Sequence, residues 1–168
     1  MWDSVIGLGS NVGDRLGNLR AALHALGELG SVVAVSALYD TAPVGPPQAR
    51  FLNAAARLDA SVDPRALLPE LLSIEQQLGR ERRERWGPRT LDLDMLWVRG
   101  FMCDDVGLTV PHPELRRRAF ALVPLLDVAP DASDPRDGVA YARVSVELDL
   151  GDVREVEGSR DRWFREPW

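Results

Sequence analysis

Thr90-Leu-Asp-Leu-Asp-Met-Leu-Trp-Val98 is an apolar, strand-forming run that contains two acidic residues, although acidic residues are poor strand formers. Side chains alternate between the two faces of a strand, so Asp92 and Asp94 share one face and the apolar residues around them occupy the other. The pattern predicts a strand that presents a pair of carboxylates.

The acidic pair has two interpretations. Carboxylates on neighbouring same-face positions can hold one or two Mg²⁺ ions, which prefer oxygen ligands and substrate phosphates. The alternative is a solvated sheet face without a ligand. On the pair alone both interpretations stay open.

The loop from Gly79 to Arg89, immediately before the strand, is rich in arginine. Metal ligands beside clustered guanidinium groups are the apparatus of phosphoryl transfer, where catalysis is mostly positioning and charge neutralisation. The alternative is a solvated basic loop that pairs with Glu81 and Glu84. The arginines in question are Arg80, Arg82, Arg83, Arg85 and Arg89.

The other elements are predicted from apolar runs, from the spacing of leucines and from the positions of proline and glycine. The predicted order is β-α-β-β-α-β, which favours one α+β domain with a largely antiparallel sheet and packed helices. The charged residues from Glu155 onward are expected to be poorly ordered. The predicted elements are strands at Val5–Leu8, Val32–Tyr39, Phe51–Leu58, Thr90–Val98 and Val144–Leu150, helices at Leu16–Leu29 and Pro64–Leu78 and one reaching Leu126, and a stiff loop at Thr41–Arg50.

Composition excludes several classes of function. All 20 basic residues are arginine, and the absence of lysine excludes a P-loop and Schiff-base chemistry. A net charge of -6 argues against a general nucleic-acid binder. Cys103 is the only cysteine, so an internal disulfide and a cysteine-rich zinc site are excluded. Without a signal peptide or an apolar run of roughly 20 residues, a cytoplasmic protein is expected.

The glycine-rich segment Gly7-Leu-Gly-Ser-Asn-Val-Gly13 does not have the G-x-G-x-x-G spacing of dinucleotide folds. We interpret it as a tight strand-to-helix turn that Asn11 and Asp14 shape or cap. His24, within the first amphipathic helix, is interpreted as structural.

His112 lies between two prolines and ahead of three arginines. Two roles explain this position of His112 equally well: the side chain donates a hydrogen bond to a phosphate oxygen, or the segment is only a rigid turn. Phe51, Asn53, Trp86 and Phe120 could form a flat slot with a polar edge, although aromatic side chains more often belong to the core.

From the residues alone, the sequence indicates a Mg-dependent phosphoryl-transfer enzyme. One alternative is a nucleotidyltransferase, in which a Gly-Ser turn and a D-x-D pair lie close together in sequence. Here Gly9-Ser10 precedes Asp92 by most of the domain. The other alternative is a ferredoxin-like ligand-binding or regulatory domain with an incidental acidic pair.

Seven short motifs follow one another along the chain. They are Gly7-Leu-Gly-Ser-Asn-Val-Gly-Asp-Arg15, Tyr39-Asp-Thr-Ala-Pro-Val-Gly45, Phe51-Leu-Asn53, Leu78-Gly-Arg80, Arg85-Trp-Gly-Pro-Arg-Thr-Leu-Asp-Leu-Asp94, Val110-Pro-His-Pro113 and Arg118-Ala-Phe120. Taken together and in order, these motifs resemble the 6-hydroxymethyl-7,8-dihydropterin pyrophosphokinase family. The resemblance runs from about Val5 to Pro130, and residues 131–168 are a poorly matched C-terminal extension of the same domain.

The resemblance implies a ferredoxin-like core and transfer of the β,γ-diphosphate of ATP to the hydroxymethyl group of the pterin, with release of AMP. It also implies a monomer that acts on small molecules. Two Mg²⁺ ions would bind Asp92 and Asp94 and bridge the ATP phosphates and the attacking hydroxyl.

The remaining roles follow from the same resemblance. Its catalytic residues would be Arg80, Arg82 and Arg89 with the two aspartates, and Trp86 would help to close the catalytic loop. ATP would contact Glu75, Arg80, Arg89, His112 and Arg118. The pterin would stack between Phe51 and Phe120, and its other contacts would be Thr41, Pro43, Val44, Asn53, Trp86 and Asp92.

Overall fold

A six-stranded antiparallel sheet organises the chain. The computed structural model describes residues 1–79 and 87–165. The elements of these residues are β1 (Trp2–Ser10), α1 (Arg15–Gly27), β2 (Gly30–Val35), β3 (Tyr39–Thr41), β4 (Phe51–Ala60), α2 (Pro64–Gln77), β5 (Asp92–Val98), β6 (Cys103–Asp105), β7 (Leu108–Val110), α3 (Ala119–Val128), α4 (Tyr141–Glu147) and β8 (Arg154–Glu155).

The strand order confirms the predicted α+β class. β1 lies between β5 and β4, both β2 and β3 pair with β4, and β8 extends the sheet from β3. The core order β5-β1-β4-β2, with α1 after β1 and α2 after β4, is that of a ferredoxin-like βαββαβ unit. β6 and β7 form a separate hairpin.

The alternation of side chains along the strands gives the sheet two different faces. On one face Ile6 and Leu8 of β1 join a core with α1 and α2. On the other face Val5 of β1 and Ala55 of β4 pack with α3 and α4. The second face carries glycine and polar residues at one end, and this end holds the cavity described below.

Local signals explain where the first two helices begin and end. Asp14 caps α1 by accepting a hydrogen bond from the Gly17 N–H at 3.0 Å, as the sequence predicts. Asp63 caps α2 in the same way, with Pro64 in the first turn. Gly79 follows α2 with a φ of 86°, a left-handed conformation that glycine adopts easily.

Two predicted strands are wrong. The run Val32–Tyr39 is not one strand: β2 ends at Val35, and β3 begins only at Tyr39. The Ser36 N–H still binds Ala55 O of β4, but the Ala37 N–H binds the Asp127 carboxylate instead of a neighbouring strand. The segment predicted as a strand at Val144–Leu150 is instead helix α4 and its C-terminal cap. Its apolar residues also fit helical spacing, and that interpretation prevails because Tyr141, Val144 and Leu148 pack together against the α3 side of the core.

The segment from Glu155 to Arg165 is packed, contrary to the expectation of poor order. Trp163 is only 4% exposed, and its Nε1–H donates to Ser36 O at 2.8 Å. Arg154 and Glu155 add β8 to the sheet. Within the described part of the chain, no helix has the length and apolarity needed to cross a membrane.

Candidate active site

A cavity of about 300 Å³ opens on the α3 side of the sheet, where β1 ends and β4 and β5 begin, near the start of α3. Most of the site residues expected from the resemblance converge on it, although they come from distant parts of the sequence. Those that line the cavity are Thr41, Val44, Phe51, Asn53, Arg89, Asp92, Asp94, His112, Arg118 and Phe120.

The other expected residues are not in this lining. Pro43 and Glu75 lie within the described part of the chain but are not among the residues that line the cavity. Arg80, Arg82 and Trp86 fall outside the described residues.

The acidic pair occupies the floor of the cavity, as the alternation along the strand predicts. Asp92 and Asp94 lie opposite Gly9 and Gly7 of β1 in the antiparallel register. Both glycines line the cavity, and a Cβ atom at Gly7 would contact Leu96 while one at Gly9 would contact Asn53. Arg89 donates from Nη1 to Asp92 Oδ2 at 2.5 Å. Thus one strand end holds two carboxylates and a guanidinium group.

Asp94 is held in an environment that disfavours its charge. Burial, followed by the nearby carboxylates of Asp92 and Glu75, raises its pKa to about 7. Arg89 and Arg118 lower the pKa of Asp94, but their effect is smaller than the combined effect of burial and the carboxylates. A carboxylate in this position gains most from a partner of high positive charge.

Glu75 supports β5 from the α2 side. Its side chain is only 1% exposed, and Oε1 accepts a hydrogen bond from the Leu93 N–H at 2.7 Å. Leu93 stands between the two aspartates, so this bond fixes the backbone that carries them. The structure therefore places Glu75 beneath the acidic pair.

The residues present fit a magnesium site. The two aspartates supply the oxygen ligands that Mg²⁺ prefers, and burial together with the neighbouring carboxylates, which raise the pKa of Asp94, would favour a bound cation. Among the described residues, no three acidic, histidine or cysteine side chains converge on one point. A cation would therefore complete its coordination with water or substrate oxygens, as Mg²⁺ commonly does in phosphate sites.

His112 and Arg118 face the acidic pair across the cavity. Burial lowers the pKa of His112, with a smaller contribution from Arg118, so the imidazole is neutral at pH 7. His112 Nδ1 accepts from the Glu114 N–H at 3.1 Å, which leaves the proton on Nε2. The geometry is compatible with both roles considered for His112, a rigid turn and donation to a phosphate oxygen. The turn fixes the ring through Nδ1, and the Nε2–H is left as a donor.

The other half of the cavity is a slot with a polar edge. Phe51 and Phe120 both line it, and the Arg118 guanidinium lies 5.8 Å from the centre of the Phe120 ring. Asn53 is buried, and its Nδ2 donates to Thr41 Oγ1 at 2.6 Å. This bond orients the amide, with Oδ1 facing Gly9. The slot suits a flat heterocycle with hydrogen-bonding groups at its rim.

Comparison with known proteins identifies the family to which this site belongs. Residues 5–130 match the model of the family described as 7,8-dihydro-6-hydroxymethylpterin-pyrophosphokinase (HPPK). The chain belongs to this family. It is therefore a pyrophosphokinase of folate biosynthesis, in agreement with the resemblance found in the sequence.

Named relatives support the assignment along most of the chain. The 2-amino-4-hydroxy-6-hydroxymethyldihydropteridine pyrophosphokinase of Synechocystis sp. is 40% identical over 155 residues, which cover 91% of this chain and 80% of that protein. The enzyme of the same name from Methylorubrum extorquens is 46% identical over 160 residues, which cover 94% of this chain and all of that protein. Family membership sets aside both the nucleotidyltransferase and the non-enzymatic alternative.

Solved structures of HPPK-DHPS proteins share the fold. A Plasmodium falciparum HPPK-DHPS triple mutant matches 95% of this chain with a TM-score of 0.73 and 13% identity. A second triple mutant matches 87% with a TM-score of 0.72 and 17% identity. This chain covers 48% and 44% of those longer chains, respectively.

Two features of this HPPK site were missed from the sequence. Gly7 and Gly9 are not part of a turn, because they lie inside β1 and line the cavity. Asn11 does more than shape the turn: its Nδ2 donates to Gln48 Oε1 and Ala49 O, and its Oδ1 accepts from the Arg89 N–H at 2.8 Å. The Gly-x-Gly alternation could have indicated that both glycines lie on one face of a strand. The hydrogen bonds of Asn11 could not be predicted in this way, because its partners lie in distant loops.

Proposed function

We propose that this cavity is the active site in which the hydroxymethyl oxygen of the pterin attacks the β-phosphorus of ATP. The bond from that phosphorus to the α,β-bridging oxygen breaks, AMP leaves with the bridging oxygen, and the proton of the pterin hydroxyl is released to water. The observation that carries the proposal is the junction of an aromatic slot with a pocket of carboxylates and cationic groups. Such a junction suits a flat substrate that must present a hydroxyl to a polyphosphate.

The slot side would bind the pterin. Phe51 and Phe120 would stack on the ring faces, and the oriented amide of Asn53 would hydrogen-bond the ring edge. The backbone from Thr41 to Val44, including Pro43, would read the remaining edge. Asp92 would face the hydroxymethyl group, because it lies on the floor between the slot and the cationic groups.

The opposite side would bind ATP. Arg89, His112 and Arg118 would donate to phosphate oxygens, with His112 acting through its Nε2–H. Two Mg²⁺ ions held by Asp92 and Asp94 would neutralise phosphate charge and favour ionisation of the attacking hydroxyl. Arg80, Arg82 and Glu75 are proposed contributors on this side.

Closure of the site is the role proposed for Trp86. A closed site would exclude water, which competes with the pterin hydroxyl for the phosphorus. The chain is also proposed to be a cytoplasmic monomer with one domain over residues 1–168. Sedimentation equilibrium of the purified protein tests whether it is a monomer, and cell fractionation tests whether it is cytoplasmic.

Substitution of the two aspartates tests the proposal. Asp92→Ala and Asp94→Ala should each lose nearly all turnover, because each removes a carboxylate from the proposed metal site. Asp104→Ala provides the control, since that aspartate is exposed on β6, outside the cavity lining. Circular dichroism would verify folding of each variant. Wild-type turnover in both folded aspartate variants would refute the metal assignment.

A further inference from the structure

Residues 149–163 run along the edge of β3, although the family match ends at residue 130. β8 pairs with β3, and the Val156 N–H donates to Leu38 O at 2.8 Å. The Leu38 N–H in turn donates to the Oγ of buried Ser159 at 3.0 Å. The C-terminal segment therefore braces the strand that leads into residues 42–50, here called the substrate loop.

Arg50 connects the far end of the substrate loop to the same segment. Its guanidinium pairs with Asp40 of β3 and with Asp152, and its Nη2 also donates to Asp152 O at 3.3 Å. The Arg50 guanidinium lowers the pKa of the Asp152 carboxyl, so the pair is ionised at neutral pH. Because Arg50 immediately precedes Phe51, the tie lies one residue from the aromatic slot.

A groove beside the cavity brings the two segments face to face. Leu150 and Val153 of the C-terminal segment line it opposite Ala42 and Val44 of the substrate loop. The groove and the cavity share Val44 and other residues of their common rim. The C-terminal segment is thus the outer support of the loop whose inner side faces the substrate slot.

We propose that Asp152 is a positioning residue for the pterin, which acts through Arg50 to hold the substrate loop in its binding conformation. The inference rests on the proposed location of the pterin slot. Asp152 does not line the cavity itself, so its effect passes through the loop. A loop that is ordered before binding loses less conformational freedom when the ligand arrives, which strengthens binding.

Steady-state kinetics of Asp152→Asn test the proposal. The change removes the charge and keeps the size of the side chain. We expect the pterin KM to rise about threefold to tenfold, which lies in the lower part of the range for coupled neighbouring residues, while kcat and the ATP KM stay unchanged. Calorimetric titration of the pterin in the presence of a non-hydrolysable ATP analogue should show the same loss of affinity. Glu157→Gln is the matched control, because Glu157 is exposed and belongs to the same segment.

A double-mutant cycle with Arg50→Gln separates positioning from general support of the fold. In the Arg50→Gln background, Asp152→Asn should have no further effect on the pterin KM, since the link is already absent. Additive effects, an unchanged pterin KM, or equal changes in both KM values would overturn the inference. The wild type serves as the check on the reaction itself: if it formed no AMP from ATP and the pterin, the proposed function would fail whatever Asp152 does.

Discussion

Asp94→Asn should stabilise the metal-free protein while it abolishes turnover. The raised pKa of about 7 means that the folded state resists ionisation of this carboxyl, because burial and two neighbouring carboxylates disfavour the charge. The shift from an ordinary value of 3.8 is worth at most about 4 kcal/mol at 1.36 kcal/mol per unit. At pH 8, where the cost of ionising Asp94 is fully present, we expect the substitution to raise the free energy of unfolding by roughly 2 to 4 kcal/mol.

The pH dependence gives this prediction its sign. Well below the ordinary pKa of 3.8, Asp94 is protonated in both the folded and the unfolded chain, so asparagine and aspartic acid should be nearly equivalent there. Between pH 4 and 7 the unfolded chain releases the proton first, and the stability of the wild type should fall as the pH rises. The advantage of the variant should therefore grow over this interval and then level off.

Urea unfolding in the presence of EDTA, from pH 4.5 to pH 8, measures the effect. A parallel series with Mg²⁺ should stabilise the wild type and leave Asp94→Asn unchanged, because a ligand stabilises only the state that binds it. Asp104→Asn is the matched control and should show no such trend. A constant difference between wild type and variant across this pH range would refute the reasoning about the buried charge.

Three further changes address the slot and the fold. Gly9→Ala would place a Cβ atom 2.8 Å from Asn53 Oδ1, so the pterin KM should rise about fivefold with little change in the ATP KM in steady-state assays. The Arg57 guanidinium, followed by a smaller effect of Arg99, lowers the pKa of Asp3. The ionised Asp3 carboxylate therefore stabilises the folded state above about pH 4, and this contribution should be lost as the pH falls further. The urea midpoint of the wild type should accordingly exceed that of Asp3→Asn at neutral pH, and the difference should shrink in acid. Trp163→Ala should cost about 3 to 5 kcal/mol in the free energy of unfolding, measured in the same way.

Local periodicity was sufficient to predict the central strands of the sheet, β1, β4 and β5, and the acidic pair of the site. The strand alternation predicted that Asp92 and Asp94 share a face, and the structure places both on the cavity floor. The spacing of leucines predicted α1 and α2 because the helical period is short and repeats within each segment. These features depend on neighbours within a few residues, which the sequence shows directly.

Other features depend on partners far away in the chain. Residues 144–150 fit strand and helix periods alike, and only packing of α4 beside α3 decides between them. Trp163 lies in a charged stretch, and its burial requires Ser36, more than 120 residues earlier. Asn11 connects the substrate loop to Arg89 through bonds that no local pattern encodes. Glu75 was expected beside ATP, and its bond to the Leu93 N–H could be seen only once α2 had been placed against β5.

Product analysis shows whether the protein transfers a diphosphate from ATP to the pterin. The purified protein would be incubated with Mg-ATP and 6-hydroxymethyl-7,8-dihydropterin, and the nucleotide products would be separated and quantified. We predict AMP in a one-to-one ratio with pterin diphosphate. Formation of ADP would indicate transfer of a single phosphate, and absence of turnover by folded protein would contradict the proposed active site.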